Sequence, residues 1–440
     1  MKRRFILLVV ALCVTAAASP AAGQSFTFVE AYFDGDTQGA VTIDGLNFVF
    51  STAVSPDGSN VYACSGNGGL ISSDNAIAVF SRAASGRLTF VEVEFDDDDS
   101  NNPGTADGLF SCRDVAVSPD GEHVYTAAFS ENKLGIFIRD GASGELTFDS
   151  VVEDGVGVDG LAGVESIALS PDGASLFAVG TIDDALVAFS RDGATGALTF
   201  RDFATEGLGG VSGLDRPVAV AVSPDGSHVY TAAGGNENFT GSDAVAVFDW
   251  DAATGSLTFV DAYFEGQTQG ANTIDGLHRV SSVTVSPDGA HVYATGAVDP
   301  TGDQDWIAIF SRNGATGELT WQASIDHFNF CNLPILFGFE TYAVSSPDGE
   351  RLFITSPATA VAEFSRNPAT GLLTFADAEC FFDNLSLGIN LPRKLSLDPS
   401  GTHFYVPGNA SNSVAVFDTD GIFTDGFESG DLSAWSASAP

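Results

Sequence analysis

Along most of this chain, apolar residues alternate with small or polar ones in runs no longer than a single strand. Val115 to Val117 is one such run. Ser118-Pro119-Asp120-Gly121 then reverses the chain, because proline fixes φ and glycine accepts a positive value, and His123-Val124-Tyr125-Thr126 returns. Leu134 to Ile138 is the next apolar run, Arg139 to Gly144 is rich in turn formers, and Leu146-Thr147-Phe148 alternates again. Two hairpins in succession predict one four-stranded antiparallel sheet.

The layout recurs. Pro-Asp-Gly or Pro-Ser-Gly turns stand at Pro56, Pro119, Pro171, Pro224, Pro287, Pro347 and Pro399, at intervals of 52 to 63 residues, a spacing that suits a propeller blade carrying one long loop. Six residues past each proline is an aromatic (Tyr62, Tyr125, Phe177, Tyr230, Tyr293, Phe353, Tyr405). Every third strand carries Phe (Phe80, Phe137, Phe189, Phe248, Phe310, Phe364, Phe417), as expected of residues packed between blades. Fourth strands of the Leu-Thr-aromatic type follow only six repeats, at Leu88, Leu146, Leu198, Leu257, Leu319 and Leu373. The seventh is expected from the other end of the chain. Ser25 to Leu46 (SFTFVEAYFDGDTQGAVTIDGL) nearly repeats Ser256 to Leu277 (SLTFVDAYFEGQTQGANTIDGL), so Phe26 to Tyr32 is an outer strand with no blade of its own. Paired with Val414 to Phe417 it would leave no open sheet edge at the junction. The prediction is an all-β, seven-bladed propeller over residues 24–420, its ring closed by the N-terminal strand joining the last blade.

Residues 1–23 read as a signal peptide: Lys2-Arg3-Arg4, the apolar run Phe5 to Val14, then small residues up to Gly23. The mature protein is therefore expected to be secreted, periplasmic or on the cell surface, with no membrane span. The leader holds three of the 17 Lys plus Arg and none of the 58 acids, which leaves 14 against 58 and a formal charge of −44. Nucleic acid and anionic membranes would be repelled. Only Lys133 and Lys394 remain as lysines, and four cysteines remain. If loops after second and fourth strands share one face, here the top, then Cys64 and Cys112 are neighbours on adjacent blades, and Cys331 and Cys380 lie in the long loops entering blades 6 and 7. The expected pairs are Cys64 with Cys112 and Cys331 with Cys380, out of three connectivities the sequence leaves open.

The blade pattern VAVSPDGxHVY followed by VAVFSRDxATGxLTF resembles the seven-bladed lactonase-type propellers, the YVTN-repeat group that includes 6-phosphogluconolactonase and fungal muconate-lactonising enzymes. The resemblance spans roughly Ser25 to Asp420. It implies the architecture directly; for activity it implies either lactone hydrolysis or a surface or binding role, since the matching residues are turns and packing aromatics.

Chemistry must come from residues outside the blade frame. His123, His228, His291 and His403 each fall four residues after a turn proline and belong to bottom-face hairpins, whereas His278 and His327 lie in long top-face loops. Arg113 and Arg393 lie six residues before their turn prolines and Arg216 and Arg279 eight before, so period-two alternation would turn all four toward one channel mouth. Glu165 shares that register and Glu340 is close to it. Convergent ionisable groups in a cleft mark a candidate site. In contrast, Arg82, Arg139, Arg191, Arg312 and Arg366, each two residues past a third-strand Phe, are expected to be structural or surface residues. Nucleophile-elbow, Walker, His-Glu-x-x-His and Cys-x-x-Cys motifs are all missing.

No organic cofactor is expected. Calcium has two footholds, Asp96-Asp97-Asp98-Asp99 and the spaced oxygens of Asp34, Asp36, Gln38 and Asp44, though neither is an EF-hand. After Asp420 the blade pattern stops, and Gly421 to Pro440 resembles a FESGDxSAWS-type sorting tail of exported bacterial proteins. The preferred reading is an exported monomer binding a small molecule, protein or glycan at its top face. The alternative is a hydrolase of a neutral sugar or aromatic lactone, with Arg113, Arg216, Arg279 and Arg393 stabilising an oxyanion and Glu165 or His278 activating water.

Overall fold

The computed structural model describes residues 26–66, 74–97, 104–234, 242–296, 305–326, 341–356, 360–380 and 387–419. They form seven four-stranded antiparallel sheets, each running from an innermost first strand to an outermost fourth. Blade 2 is representative: Cys112–Val117, His123–Ala128, Lys133–Arg139 and Leu146–Glu153. Its strands meet at the turns that Pro119-Asp120-Gly121 and the 140–145 segment supply.

Blade 7 closes the ring as expected. Thr27–Phe33 pairs antiparallel with Ser413–Asp418, with Thr27 opposite Asp418 and Phe33 opposite Ser413. Phe26, buried, packs edge-on against Phe404 and Phe417 with centroids 5.3 and 5.8 Å away. The expected domain boundaries, after Gly23 and after Asp420, lie outside the described residues.

Between blades the repeated aromatics are buried, and Tyr62, Tyr125, Tyr230, Tyr293 and Tyr405 are wholly inaccessible. Each fully buried third-strand Phe contributes roughly 1.5–3 kcal/mol of apolar burial. The five arginines that follow those phenylalanines are structural, and four of them are buried. Arg191 of blade 3 shows why. Its Nε donates to Tyr125 Oη of blade 2 at 2.7 Å, its Nη1 to Gly173 O at 3.1 Å, and its Nη2 lies 2.8 Å from both Asp120 Oδ2 and His123 Nδ1. Arg139, Arg312, Arg366 and Arg82 repeat this clamp on Tyr62, Tyr230, Tyr293 and Tyr405. Where the second-strand aromatic is Phe177, with no hydroxyl to receive, the next blade carries Trp250 instead, packed edge-on at 5.1 Å.

The tyrosine hydroxyl in turn donates to a glycine carbonyl of the next blade, as Tyr125 does to Gly196 at 2.8 Å. Gly196 has φ +75°, and a Cβ there would lie 2.2 Å from the His123 ring, so both the turn and the close approach require glycine.

Candidate active site

Seven innermost strands surround the central channel, and two repeated backbone features decide which side chains enter it. Six residues before each turn proline stand Phe50, Arg113, Glu165, Val218, Ser281, Thr341 and Arg393. In blades 1 to 4 the strand pairing slips there, between Val49 and Ser51, Cys112 and Asp114, Val164 and Ser166, and Pro217 and Ala219. The residue left over bulges, and a bulge re-aims its side chain. Two residues earlier, Phe48, Ser111, Gly163, Arg216, Arg279 and Leu391 all adopt the left-handed conformation, with φ between +48° and +66°.

That second position has a backbone role. Its N–H donates to the Oδ1 of an Asn or Asp in the preceding blade: Phe48 to Asn412, Ser111 to Asn75, Gly163 to Asn132, Arg216 to Asp184 and Arg279 to Asp243, at 2.7 to 3.1 Å. The four arginines therefore do not share one register. Arg113 and Arg393 stand at the six-before position, while Arg216 and Arg279 occupy the left-handed clasp, because bulge and clasp interrupt the alternation that the sequence reading assumed.

Arg113 and Arg393 face the same ring. Their Cζ atoms lie 4.1 and 5.0 Å from the centroid of Phe50, and Arg113 also approaches Phe129 at 5.2 Å. Both are within cation–π range. Arg113 Nε is buried and has no hydrogen-bond partner among the described residues.

The channel holds a cavity of about 250 Å³, lined by Arg113 and Glu165 and by Asp114, Lys394 and Tyr342 among the polar residues. Asp114 and Lys394 escaped the sequence reading. Lys394 Nζ, from blade 7, lies 2.9 and 2.6 Å from the two carboxylate oxygens of Asp114 in blade 2. Asp114 is buried, and its Oδ1 also accepts from Ser51 Oγ and from its neighbour Val115 N, its Oδ2 from Ser166 Oγ and Ile167 N. One carboxylate thus ties blades 1, 2, 3 and 7 together. Six hydrogen bonds occupy its two oxygens, which fixes where Lys394 stands. The lysine side chain remains about a third exposed, so its ammonium can also meet a ligand.

Other expected site residues fall elsewhere. Arg216, Arg279, Arg393 and His278 are not among the residues lining this cavity. His278 Nδ1 instead lies 3.4 Å from Asp243 Oδ2. His327, Glu340, Cys331, Asp98 and Asp99, the side chain of Cys380, the leader and the C-terminal tail lie outside the described residues. Cys64 and Cys112 form the expected disulfide, with Cα atoms 5.7 Å apart.

The acidic loops regroup across the blade entries. Oxygens of Asp96 and Asp97 gather with Asp107, those of Asp34 and Asp44 with Asp74, and those of Asp154 with Asp159 and Asp183. Gln38 is elsewhere, bonded through its carboxamide to Leu88 O and Phe90 N of the outer strand of blade 1. The recurrence has a structural cause: Asp34, Asp96, Asp154, Glu206 and Glu265 each accept the N–H of a buried leucine in the loop entering the next blade. In blade 2 a cation is already built in, since Lys133 Nζ lies 2.8 Å from Asp107 and 3.3 Å from Glu131. Calcium rests on the sequence reading alone.

The family model of the lactonase seven-bladed β-propeller matches residues 99–210 and 167–268. The chain is a seven-bladed β-propeller that over those residues resembles the lactonase family. Among solved structures, this propeller is similar to a periplasmic gluconolactonase of Pseudomonas aeruginosa, at 18% identity and TM-score 0.55 over 78% of this chain and 89% of that one. It is similar to a candidate 6-phosphogluconolactonase of Bacteroides uniformis, at 20% identity and TM-score 0.54 over 78% and 87%. It is also similar to a hydrazine synthase of Kuenenia stuttgartiensis, at 16% identity and TM-score 0.57 over 87% and 98%. Identities this low carry the fold alone, and a gluconolactonase and a hydrazine synthase sharing it make the point. No curated protein matches the chain.

Proposed function

We propose that the protein is an exported lactone hydrolase whose reaction takes place in the central channel. The observation that carries the reading is the cavity wall itself, which sets a fixed ammonium, Lys394, with a guanidinium, Arg113, and a carboxylate, Glu165, in about 250 Å³. The family match supports hydrolysis over the binding role preferred from sequence. Export is supported by the leader pattern, by the Cys64–Cys112 disulfide, and by the lack of any helix among the described residues long and apolar enough to cross a membrane.

Glu165 takes a proton from water as the water oxygen bonds to the lactone carbonyl carbon, and the carbonyl π pair moves onto oxygen. Lys394 and Arg113 hold that negative charge. Collapse re-forms the carbonyl and breaks the ring C–O bond, and the leaving oxygen recovers the proton from Glu165 to give a hydroxy acid. Asp114 acts by positioning Lys394. Proton release from a lactone panel, followed by pH-stat, tests the reading. Glu165→Gln should lower kcat by about 10²- to 10⁴-fold without lowering thermal stability; undiminished turnover in that variant would refute the assignment.

A further inference from the structure

We infer that the ring this channel accepts is a hydrocarbon or aromatic lactone and not a polyhydroxylated sugar lactone, an inference that rests on the hydrolytic reading above. The cavity, about 250 Å³, lies just below the range of roughly 300–1,000 Å³ usual for small-molecule sites. Its charged groups come from blades 2, 3 and 7. The remaining wall, from blades 3 to 6, consists largely of four valines, one isoleucine and four alanines, and the lining as a whole is more apolar than polar.

Two of the wall's three serines already spend their hydroxyl hydrogens within the protein, and the third uses its oxygen as an acceptor. Ser166 Oγ donates to Asp114 at 3.1 Å, Ser281 Oγ donates to Thr341 O at 2.9 Å, and Ser282 Oγ accepts from Ala343 N at 3.2 Å. Thr284 and Tyr342 bring the other hydroxyls. A sugar lactone carries a hydroxyl on most of its ring carbons, and those that meet the valine, isoleucine and alanine side chains would trade water for apolar surface. Sites built to bond substrate hydroxyls discriminate by about 10⁴- to 10⁵-fold, apolar walls by only about 10- to 200-fold. This wall is of the second kind, so its selectivity should be modest and should favour the apolar ring.

The test compares dihydrocoumarin with glucono-δ-lactone on the full-length mature protein, by pH-stat for turnover and by calorimetry for binding of the two product acids, hydroxyphenylpropionate and gluconate. The expected result is kcat/KM at least about tenfold higher for dihydrocoumarin. Val218→Thr and Val344→Thr, which place a hydroxyl on half-buried wall positions with little change of shape, should each narrow that ratio several-fold. Higher kcat/KM for glucono-δ-lactone, or tighter binding of gluconate, overturns the inference. Binding of hydroxyphenylpropionate with no turnover of either lactone would sink the hydrolytic reading while supporting the ligand class. Neither binding nor turnover would contradict both.

Discussion

Lys394 of blade 7 and Asp114 of blade 2 meet at 2.6 Å across the mouth of blade 1, although 280 residues separate them. The pair is asymmetric, since Asp114 is buried with four further donors on its oxygens and Lys394 is partly open to the cavity. Asp114→Ala removes the acceptor from all five, and should cost roughly 3 kcal/mol or more. Lys394→Met leaves the carboxylate with its other donors and should cost only about 1 kcal/mol. Urea unfolding of both variants checks this; equal losses would mean that Asp114 is not the hub.

Acidification should weaken the fold in two steps. Burial, aided by the charges of Arg191, Arg312 and Arg366, holds His123, His228 and His291 below the ordinary histidine range. The unfolded chain then binds more protons than the folded one below about pH 6.5, so stability falls as pH drops through that window. A second loss belongs to Asp57, Asp225 and Asp288. Burial raises each, but serine hydroxyls and the clamp arginines outweigh it and hold all three below the usual carboxylate range, Asp288 at about 2. Stability from these is complete above about pH 4 and lost below. Blade 1 indicates how to separate the steps, because Asn60 there receives Arg139 Nη2 at 2.7 Å just as His123 receives Arg191. Replacing all three histidines by Asn should flatten the urea midpoint between pH 7 and 5 and leave the acid limb; an unchanged upper limb would contradict the assignment.

Ring closure is open to a separate test. Removing residues 24–33 would strip the outer strand from blade 7 and expose Val414 and Val416, both wholly buried against it. The deletion should abolish a single cooperative unfolding transition, as the covalent tie between blades 7 and 1 is lost and the third strand of blade 7 becomes an open edge. An unchanged melting curve would show that the strand is dispensable.

The architecture was legible because every level of the repeat agreed. Turn prolines, strand aromatics and the displaced strand at Phe26 to Tyr32 all pointed to seven blades. Even the clamp left a trace within the chain, since Arg follows wherever the preceding blade carries Tyr and is replaced where it carries Phe177 or Phe353. The site was less legible for a geometric reason. Alternation counts residues, whereas the bulges at Arg113 and Glu165 and the left-handed residues Arg216 and Arg279 break the count without altering the sequence pattern. The signal that could have found the missed pair was the sign of charge at the next position, five before the turn prolines. Asp114 and Lys394 are the only charged residues there.

The central claim is that chemistry occurs in the cavity where Lys394 stands. The most direct measurement is kcat/KM toward a hydrolysed lactone for Lys394→Met beside Arg216→Gly, the second chosen because Gly163 holds the same left-handed clasp in blade 3. Loss of an oxyanion partner should lower kcat/KM by about 10²- to 10³-fold in Lys394→Met, with activity within about twofold of the parent in Arg216→Gly. Comparable activity in Lys394→Met and the parent, or a loss in Arg216→Gly as large as in Lys394→Met, would contradict the account.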